Sequence, residues 1–443
     1  MKSTANPGDL VEVHLTKTIY EGVLLESSET GIVLLKLGTG YNIGFNKKDI
    51  LEIKVLKKFK KEGKEIAENP PRDDAAAPKR SSEKPNIAMV ITGGTIASKY
   101  DSRTSGVHPL TNPEELFKYY PELFEKVNVA RVEVPFMKAS ESMNFSDWKK
   151  IAKIVSELVN DSNIQGVIVT HGTDTLHYTS SALSFFLRNL NKPVVLTYSQ
   201  RSIDRASSDA NLNLKCSALA AISDIAEVML VGHGSTNDDF CYAMPGTKVR
   251  KFHSSRRDAF KVVNSEPFAK IYSAPLGVPP NLESGGNRIE ILSDYNKRNN
   301  KKVELDLKFD NEIALVKFYP GQSPDILDYY LKKKYKGLII EATGLGHVAV
   351  NSESEYGWDL KLKEIVEKGI AICITSQCIF GRVNPYVYSN LRKLSNFGAI
   401  FLEDMLAETA FVKLGWVLGH PEWNVKEKML ENISGELNNR LKE

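Results

Sequence analysis

The spacing of apolar and polar positions changes along this chain, and each rhythm predicts a different kind of element. Between residues 8 and 56 apolar positions alternate, as in Leu10-Val11-Glu12-Val13-His14-Leu15 and in parts of Tyr20 to Leu24. Gly31 to Leu37 and Asp49 to Ile53 follow, with glycine-rich turns between. A period of two broken by frequent turns predicts short strands, here a small all-β barrel over 1–56. The stretch from Lys57 to Lys84 then loses its apolar content and becomes charged and proline-bearing, as in Asn69-Pro70-Pro71-Arg72-Asp73-Asp74. It cannot build a core and predicts a linker over 57–84.

From Asn86 the rhythm changes again. Asn86-Ile87-Ala88-Met89-Val90-Ile91 and Val167-Ile168-Val169-Thr170 are nearly unbroken apolar runs, the pattern of strands buried on both faces. Between them, Ser146 fits a helix N-cap, and Ile151, Ile154, Val155 and Leu158 fall on one helical face. Leu183, Phe186, Leu187 and Leu190 recur at helical spacing, and Pro193 to Tyr198 and Glu227 to Val231 read as the next strands. Repeated βα units predict an α/β fold with mainly parallel sheets covered by helices. A polar, basic break around Asn281 to Phe309 divides it, giving an α/β domain over 85–283, a linker over 284–310 and a second α/β domain over 311–443. In the last, Ile313–Phe318, Gly337–Glu341, Ile370–Thr375 and Ala399–Leu402 read as strands. Leu362–Lys368 and Met405–Leu418 read as helices.

Charge adds little: 58 basic against 55 acidic residues give no global field aimed at a polyanion. Four cysteines (Cys216, Cys241, Cys373, Cys378) show neither CxxC pairing nor metal spacing, so reduced, mostly buried thiols and no metal site are expected. The first residues lack a secretory apolar core, and no run approaches the roughly 20 apolar residues of a membrane span. A cytoplasmic protein is expected.

Chemistry concentrates in two turns that end apolar runs: Thr92-Gly93-Gly94-Thr95 and His171-Gly172-Thr173-Asp174-Thr175. In open α/β sheets ligands bind where strands end and turns begin. Glycines there admit a substrate to the backbone, whose N–H groups can hold a carboxylate or an oxyanion. A threonine hydroxyl is a weak nucleophile and needs a base; a lysine of lowered pKa beside a carboxylate serves. Alone, Thr92-Gly93-Gly94-Thr95 reads as an ordinary tight or phosphate-cradling turn, and His171-Gly172-Thr173-Asp174-Thr175 is evenly balanced between such a turn and a catalytic one. Both in one α/β unit favour catalysis.

Thr92-Gly93-Gly94-Thr95-Ile96-Ala97 and His171-Gly172-Thr173-Asp174-Thr175 resemble the two signature motifs of the bacterial-type L-asparaginase family, a likeness that runs from Asn86 to about Gly419. The resemblance implies that Thr95 is the loop nucleophile and that Thr173 and Asp174 are the second threonine and its acidic neighbour. Gly94, Ser140, Glu141 and Gly172 are the implied substrate-binding positions, with Ser140 at the substrate carboxylate. The family's catalytic lysine is expected at Lys251, with Lys248 as the rival. The family carries a tyrosine in the loop after the first motif; here Tyr100 comes early and Thr104 occupies its place. His347, in Gly344-Leu345-Gly346-His347, ends a strand of the half that packs across a dimer in that family.

The N-terminal barrel, Ser199 to Arg205, Ser376 to Asn384 and Glu403 to Ala410 resemble a specialised branch, the GatD chains of archaeal-type Glu-tRNA(Gln) amidotransferases. That resemblance implies hydrolysis of the side-chain amide of glutamine or asparagine through an acyl-threonine, with no cofactor in this chain. A separate partner chain, GatE, with ATP and magnesium, would use the ammonia to amidate Glu-tRNA(Gln). A homodimer core within a heterotetramer is implied as well. Which threonine attacks first stays open. A free-standing asparaginase/glutaminase using the same residues, and a non-enzymatic amino-acid sensor or tRNA scaffold, are the alternatives.

Overall fold

Alternation does build an N-terminal sheet. Strands β1 (Leu10–Leu15), β2 (Ile19–Leu25), β3 (Ile32–Leu37), β4 (Asn42–Asn46) and β5 (Ile50–Lys57) pair antiparallel in the order β4-β3-β2-β1-β5. Val11, Val13, Leu24, Val33, Leu35 and Phe45 turn inward as its core. β4 and β5 occupy opposite edges, yet only the short helical turn Lys47–Asp49 joins them. The link from Asn46 to Ile50 reaches at most about 15 Å, whereas the edges of a flat five-stranded sheet lie about 19 Å apart. The sheet therefore curls toward a barrel, although among the described residues no ladder joins β4 to β5.

The computed structural model describes residues 5–25, 27, 31–37, 42–58, 83–101, 106–109, 123, 126–205, 207–273 and 287–440. They fall into two units, one drawn from Met1–Arg80, Ala97–Tyr119 and Ser202–Ala206, the other from Ser81–Ile96, Tyr120–Arg201 and Ser207–Glu443. Beyond Lys58, nearly all of the expected linker over 57–84 lies outside the described residues.

The second unit opens with β6 (Asn86–Ile91). Residues after it, in the first unit, form the hairpin β7 (Ser98–Asp101) and β8 (Gly106–Pro109). The chain continues through β9 (Asn128–Glu133), α1 (Phe145–Asn160), β10 (Val167–Thr170), α2 (Leu176–Phe186) and β11 (Leu187–Arg188). Next come β12 (Val194–Thr197), α3 (Ala210–Ala221), β13 (Val228–His233), β14 (Cys241–Pro245), β15 (Val249–Lys251) and β16 (Phe260–Val262). Then follow β17 (Ala269–Tyr272), β18 (Arg288–Ile291) and β19 (Glu304–Leu305). Eight of these strands form one sheet, β18-β17-β14-β13-β12-β10-β6-β9. It is parallel from β9 to β13 and antiparallel from β13 to β18.

The last third contributes β20 (Ile313–Lys317), α4 (Ile326–Lys332), β21 (Gly337–Ala342), α5 (Asp359–Glu367) and β22 (Ala371–Ser376). It ends with α6 (Ser389–Asn396), β23 (Ile400–Phe401), α7 (Ala407–Leu418) and α8 (Val425–Leu430). Its four strands form a parallel sheet, β20-β21-β22-β23. Buried nearly all round, α7 packs on α2 and on β21. One core holds Leu230 of the first sheet, Ile339 of the second and Trp416 of α7, so the two α/β halves share an interior.

Three local readings change. α1 is capped by Asn144 rather than Ser146: the Asn144 side chain accepts from Ser146 N, and the Asp147 carboxylate accepts from Asn144 N. Leu187 and Leu190 lie beyond the end of α2, and Leu187 belongs to β11, which pairs with β19. Residues 284–310, read as a linker, supply β18 at the sheet edge and β19; the charged, exposed face of an edge strand hides it from an apolar-run reading. No helix among the described residues is long and apolar enough to cross a membrane.

Candidate active site

β6 and β10 are neighbouring parallel strands, with Ile91 opposite Thr170. Their C-terminal ends therefore deliver both glycine turns to the same edge of the sheet. Gly93 and Gly94 take φ of +111° and +80°, conformations natural to glycine. A Cβ on Gly94 would stand 2.4 Å from the Gly172 backbone, and one on Gly93 2.4 Å from the Lys138 carbonyl oxygen. A Cβ on Gly172 would lie 2.9 Å from Ser140 Oγ. Three backbone segments thus close on one another only because no side chain separates them.

Thr95 opens the short helical turn Thr95–Ala97 after the first glycine pair and is half-buried. Ser140 is buried; its Oγ accepts the Asp174 N–H at 3.1 Å, and its carbonyl accepts the Thr175 hydroxyl at 2.7 Å. Ser140 thus braces the second turn, while its hydroxyl hydrogen remains available to a ligand. Glu141 beside it is exposed.

The hairpin β15–β16 brings in the lysine. Lys251 Nζ lies 2.8 Å from Thr173 Oγ1 and 2.7 Å from Asp174 Oδ1. The lysine side chain is 11% exposed and that of Asp174 62%, so the ammonium is tucked between a buried hydroxyl and a solvated carboxylate. This arrangement can hold a proton on Nζ or take one from Oγ1. The rival, Lys248, is wholly buried, with Nζ 2.7 Å from Asp404 Oδ2 and 3.1 Å from the Asp404 carbonyl oxygen. Burial pushes its pKa down against the pull of Asp404, and its ammonium is committed to that partner.

Behind Thr173, His171 is fully buried. Its Nδ1 donates to the Gly172 carbonyl at 2.7 Å, which leaves Nε2 to accept from Thr179 Oγ1 at 2.8 Å. Burial pushes its pKa to about 4, so it stays neutral at physiological pH. It is a fixed brace for the turn, which the motif contains but residue-type reasoning did not single out. Three further residues escaped that reasoning: Arg250, next to Lys251, and Glu408 and Glu341, with which it pairs. Their sequence signal was adjacency to Lys251 for Arg250, the end of the strand Gly337–Glu341 for Glu341, and a place within Glu403 to Ala410 for Glu408. Tyr100 lies on β7, and Thr104 lies outside the described residues. His347 stands edge-on to Tyr388, ring centroids 5.0 Å apart. Among the described residues no group of three or more His, Cys, Asp and Glu could hold a metal ion.

Residues 86–281 match the asparaginase N-terminal family, 312–428 the glutaminase/asparaginase C-terminal domain and 5–56 the GatD N-terminal domain. The chain is 46% identical over 429 residues to the D chain of the glutamyl-tRNA(Gln) amidotransferase of Pyrococcus furiosus, covering 95% of this chain and 91% of that one. It is 39% identical over 442 residues to the corresponding chain of Methanobrevibacter smithii, covering 98% and 94%. Among solved structures it is similar to the thermostable L-asparaginase from Thermococcus kodakarensis, with a TM-score of 0.67, 27% identity, and coverage of 80% of this chain and all of that one. L-asparaginase I from Vibrio cholerae gives 0.65 at 27% identity, covering 80% and 99%.

Proposed function

The chain belongs to the GatD family of glutamyl-tRNA(Gln) amidotransferase components, and from that premise we propose that it supplies ammonia for the amidation of Glu-tRNA(Gln). It does so by hydrolysing the side-chain amide of glutamine, or of asparagine. The contact that carries this reading is Lys251 Nζ bridging Thr173 Oγ1 and Asp174 Oδ1 beside the pressed glycine turns. A hydroxyl, a base and an orienting carboxylate at a glycine-lined strand edge suit acyl transfer.

In this reading Thr95 Oγ1 adds to the amide carbon. Backbone N–H groups near Gly94 and Thr173 stabilise the oxyanion; the Asp174 N–H is already engaged by Ser140. The hydroxyl proton passes to the leaving nitrogen, the C–N bond breaks, and ammonia departs. Water then cleaves the acyl-threonine ester, with Lys251 and Asp174 governing the protonation of Thr173. Ser140, Glu141, Gly94 and Gly172 line the substrate. The hydrolysis as written draws on protein groups and water; ATP and magnesium belong to GatE, which takes the ammonia. Two copies of this chain form the core of a heterotetramer with two copies of GatE, in the cytoplasm where aminoacyl-tRNA is made.

The test is glutamine hydrolysis by the chain alone and with GatE and Glu-tRNA(Gln). The rate is expected to rise on their addition, and Lys251→Gln is expected to lower it by about 10²- to 10⁴-fold. Full activity without partner or tRNA would favour a free-standing enzyme. If Thr95→Val and Thr173→Val both still accumulate acyl-enzyme, detected by mass, the threonine assignment is overturned.

A further inference from the structure

Arg250 precedes Lys251 on β15, and neighbouring strand residues point to opposite sides. While Lys251 reaches Thr173 and Asp174, the Arg250 guanidinium reaches into the C-terminal half. Its Nε lies 3.0 Å from Oε1 of Glu408, on the first turn of α7, and an Nη lies 3.8 Å from Oε1 of Glu341, near the end of β21. The two carboxylate side chains are only 9% and 8% exposed.

Few other cations serve this pair. Lys317, at the end of β20, comes within 3.7 Å of Glu341, but its side chain is 64% exposed. His177, on the first turn of α2, lies 3.8 Å from Glu408. Burial, aided by the charge of Arg250, pushes its pKa to about 3, so it adds no charge. Burial pushes the Glu408 carboxyl up, and Arg250 is the main influence drawing it back down. Among the described residues Glu341 Oε1, Glu408 Oε2 and His177 Nδ1 make no hydrogen bond, so Arg250 meets Glu341 as a charge at 3.8 Å rather than through a hydrogen bond, and its short contact is the one to Glu408 Oε1. An arginine ion-paired at 3.0 Å to one buried carboxylate, with a second from another element 3.8 Å away, has restricted freedom, and the residue peptide-bonded to it shares the restraint.

We propose that Arg250 is a positioning residue for amide hydrolysis: ion-paired to Glu408 and drawn by the nearby charge of Glu341, it holds Lys251 in register with Thr173. Competence of the site thereby depends on the docking of the C-terminal half against β15. The inference rests on Lys251 serving in the reaction described above.

The experiment measures kcat and KM for glutamine hydrolysis by the full chain assembled with GatE, with Lys251→Ala as the reference. Arg250→Gln is expected to lower kcat by about 10²-fold, the cost of a misplacement of about 1 Å, with little change in KM. Glu408→Gln, nearly isosteric and leaving the arginine in place, is expected to lower kcat in the same direction. The double variant should be no worse than Arg250→Gln alone, because the two act as one unit. Arg250→Lys should recover part of the loss. If Arg250→Gln fails to fold by thermal melting, Glu408→Gln decides the matter. Wild-type kcat in Glu408→Gln or Arg250→Gln, additive losses, or a loss in KM alone overturns the proposal while Lys251→Ala remains dead. Activity in Lys251→Ala would instead overturn both this proposal and the hydrolytic reading beneath it.

Discussion

At the scale of single residues, the site depends on an absence of side chains. Gly94 combines a φ of +80° with a neighbour 2.4 Å from where a Cβ would sit, and that neighbour is the backbone of Gly172 rather than a yielding side chain. Gly94→Ala is therefore expected to cost roughly 3 kcal/mol of stability and to abolish hydrolysis, measured by urea unfolding and by ammonia release. His171 gives a pH dependence with a definite sign. Burial lowers its folded pKa from the usual 6.5 to about 4. Between those values the unfolded chain binds the proton first, so the stability present above pH 6.5 is lost as pH falls toward 4. The loss attributable to His171 amounts to about 3 kcal/mol. Urea midpoints recorded from pH 7 to 4 should fall, and should fall less steeply in His171→Asn. An equal slope in that variant would remove His171 as the cause.

At the scale of elements, α1 shows how a local motif is decided. Asn144 and Ser146 are both plausible caps two positions apart. Asp147 settles the choice, because its carboxylate reaches back to the Asn144 N–H at 3.0 Å while Lys138 Nζ grips both its oxygens at 2.8 and 2.9 Å. The grip matters beyond α1, since the Lys138 backbone is the surface against which Gly93 is pressed. Asn144→Ala should cost about 1 kcal/mol, read as a lowered thermal midpoint, and leave the hydrolysis rate unchanged because the Lys138–Asp147 pair survives. The edge strand β18 shows the reverse. Arg288 and Glu290 alternate with Ile289 and Ile291 in a segment whose composition reads as a break, and only pairing with β17 makes it a strand.

At the scale of the whole molecule, the two α/β halves are joined by ionic contacts as well as by the apolar core around α7. Lys248 and Asp404 are both fully buried and lie 156 residues apart in sequence. Asn438 donates to the same carboxylate from its backbone at 3.0 Å and its side chain at 2.9 Å. Asp404→Ala would strand a buried ammonium and is expected to cost about 3–5 kcal/mol, read from the urea midpoint of hydrolytic activity. A cost below about 1 kcal/mol would mean that the lysine finds water or another acceptor.

The sequence by itself determined what is local. Unbroken apolar runs marked β6 and β10, alternation marked the N-terminal strands, and the two glycine turns carried Thr95, Thr173 and Asp174 at their strand ends. These follow from the period of side chains along a backbone and from the conformations that glycine permits, both settled within a few residues. Tertiary structure decided what depends on distance. Lys248 and Lys251 stand three positions apart with the same chemistry. One is buried against Asp404, while the other crosses 78 positions of chain to Thr173. The same separation explains Arg250, whose carboxylate partners lie on elements of the other α/β half. Local pattern says which residues can act; only the closing of distant segments under burial says which of them meet.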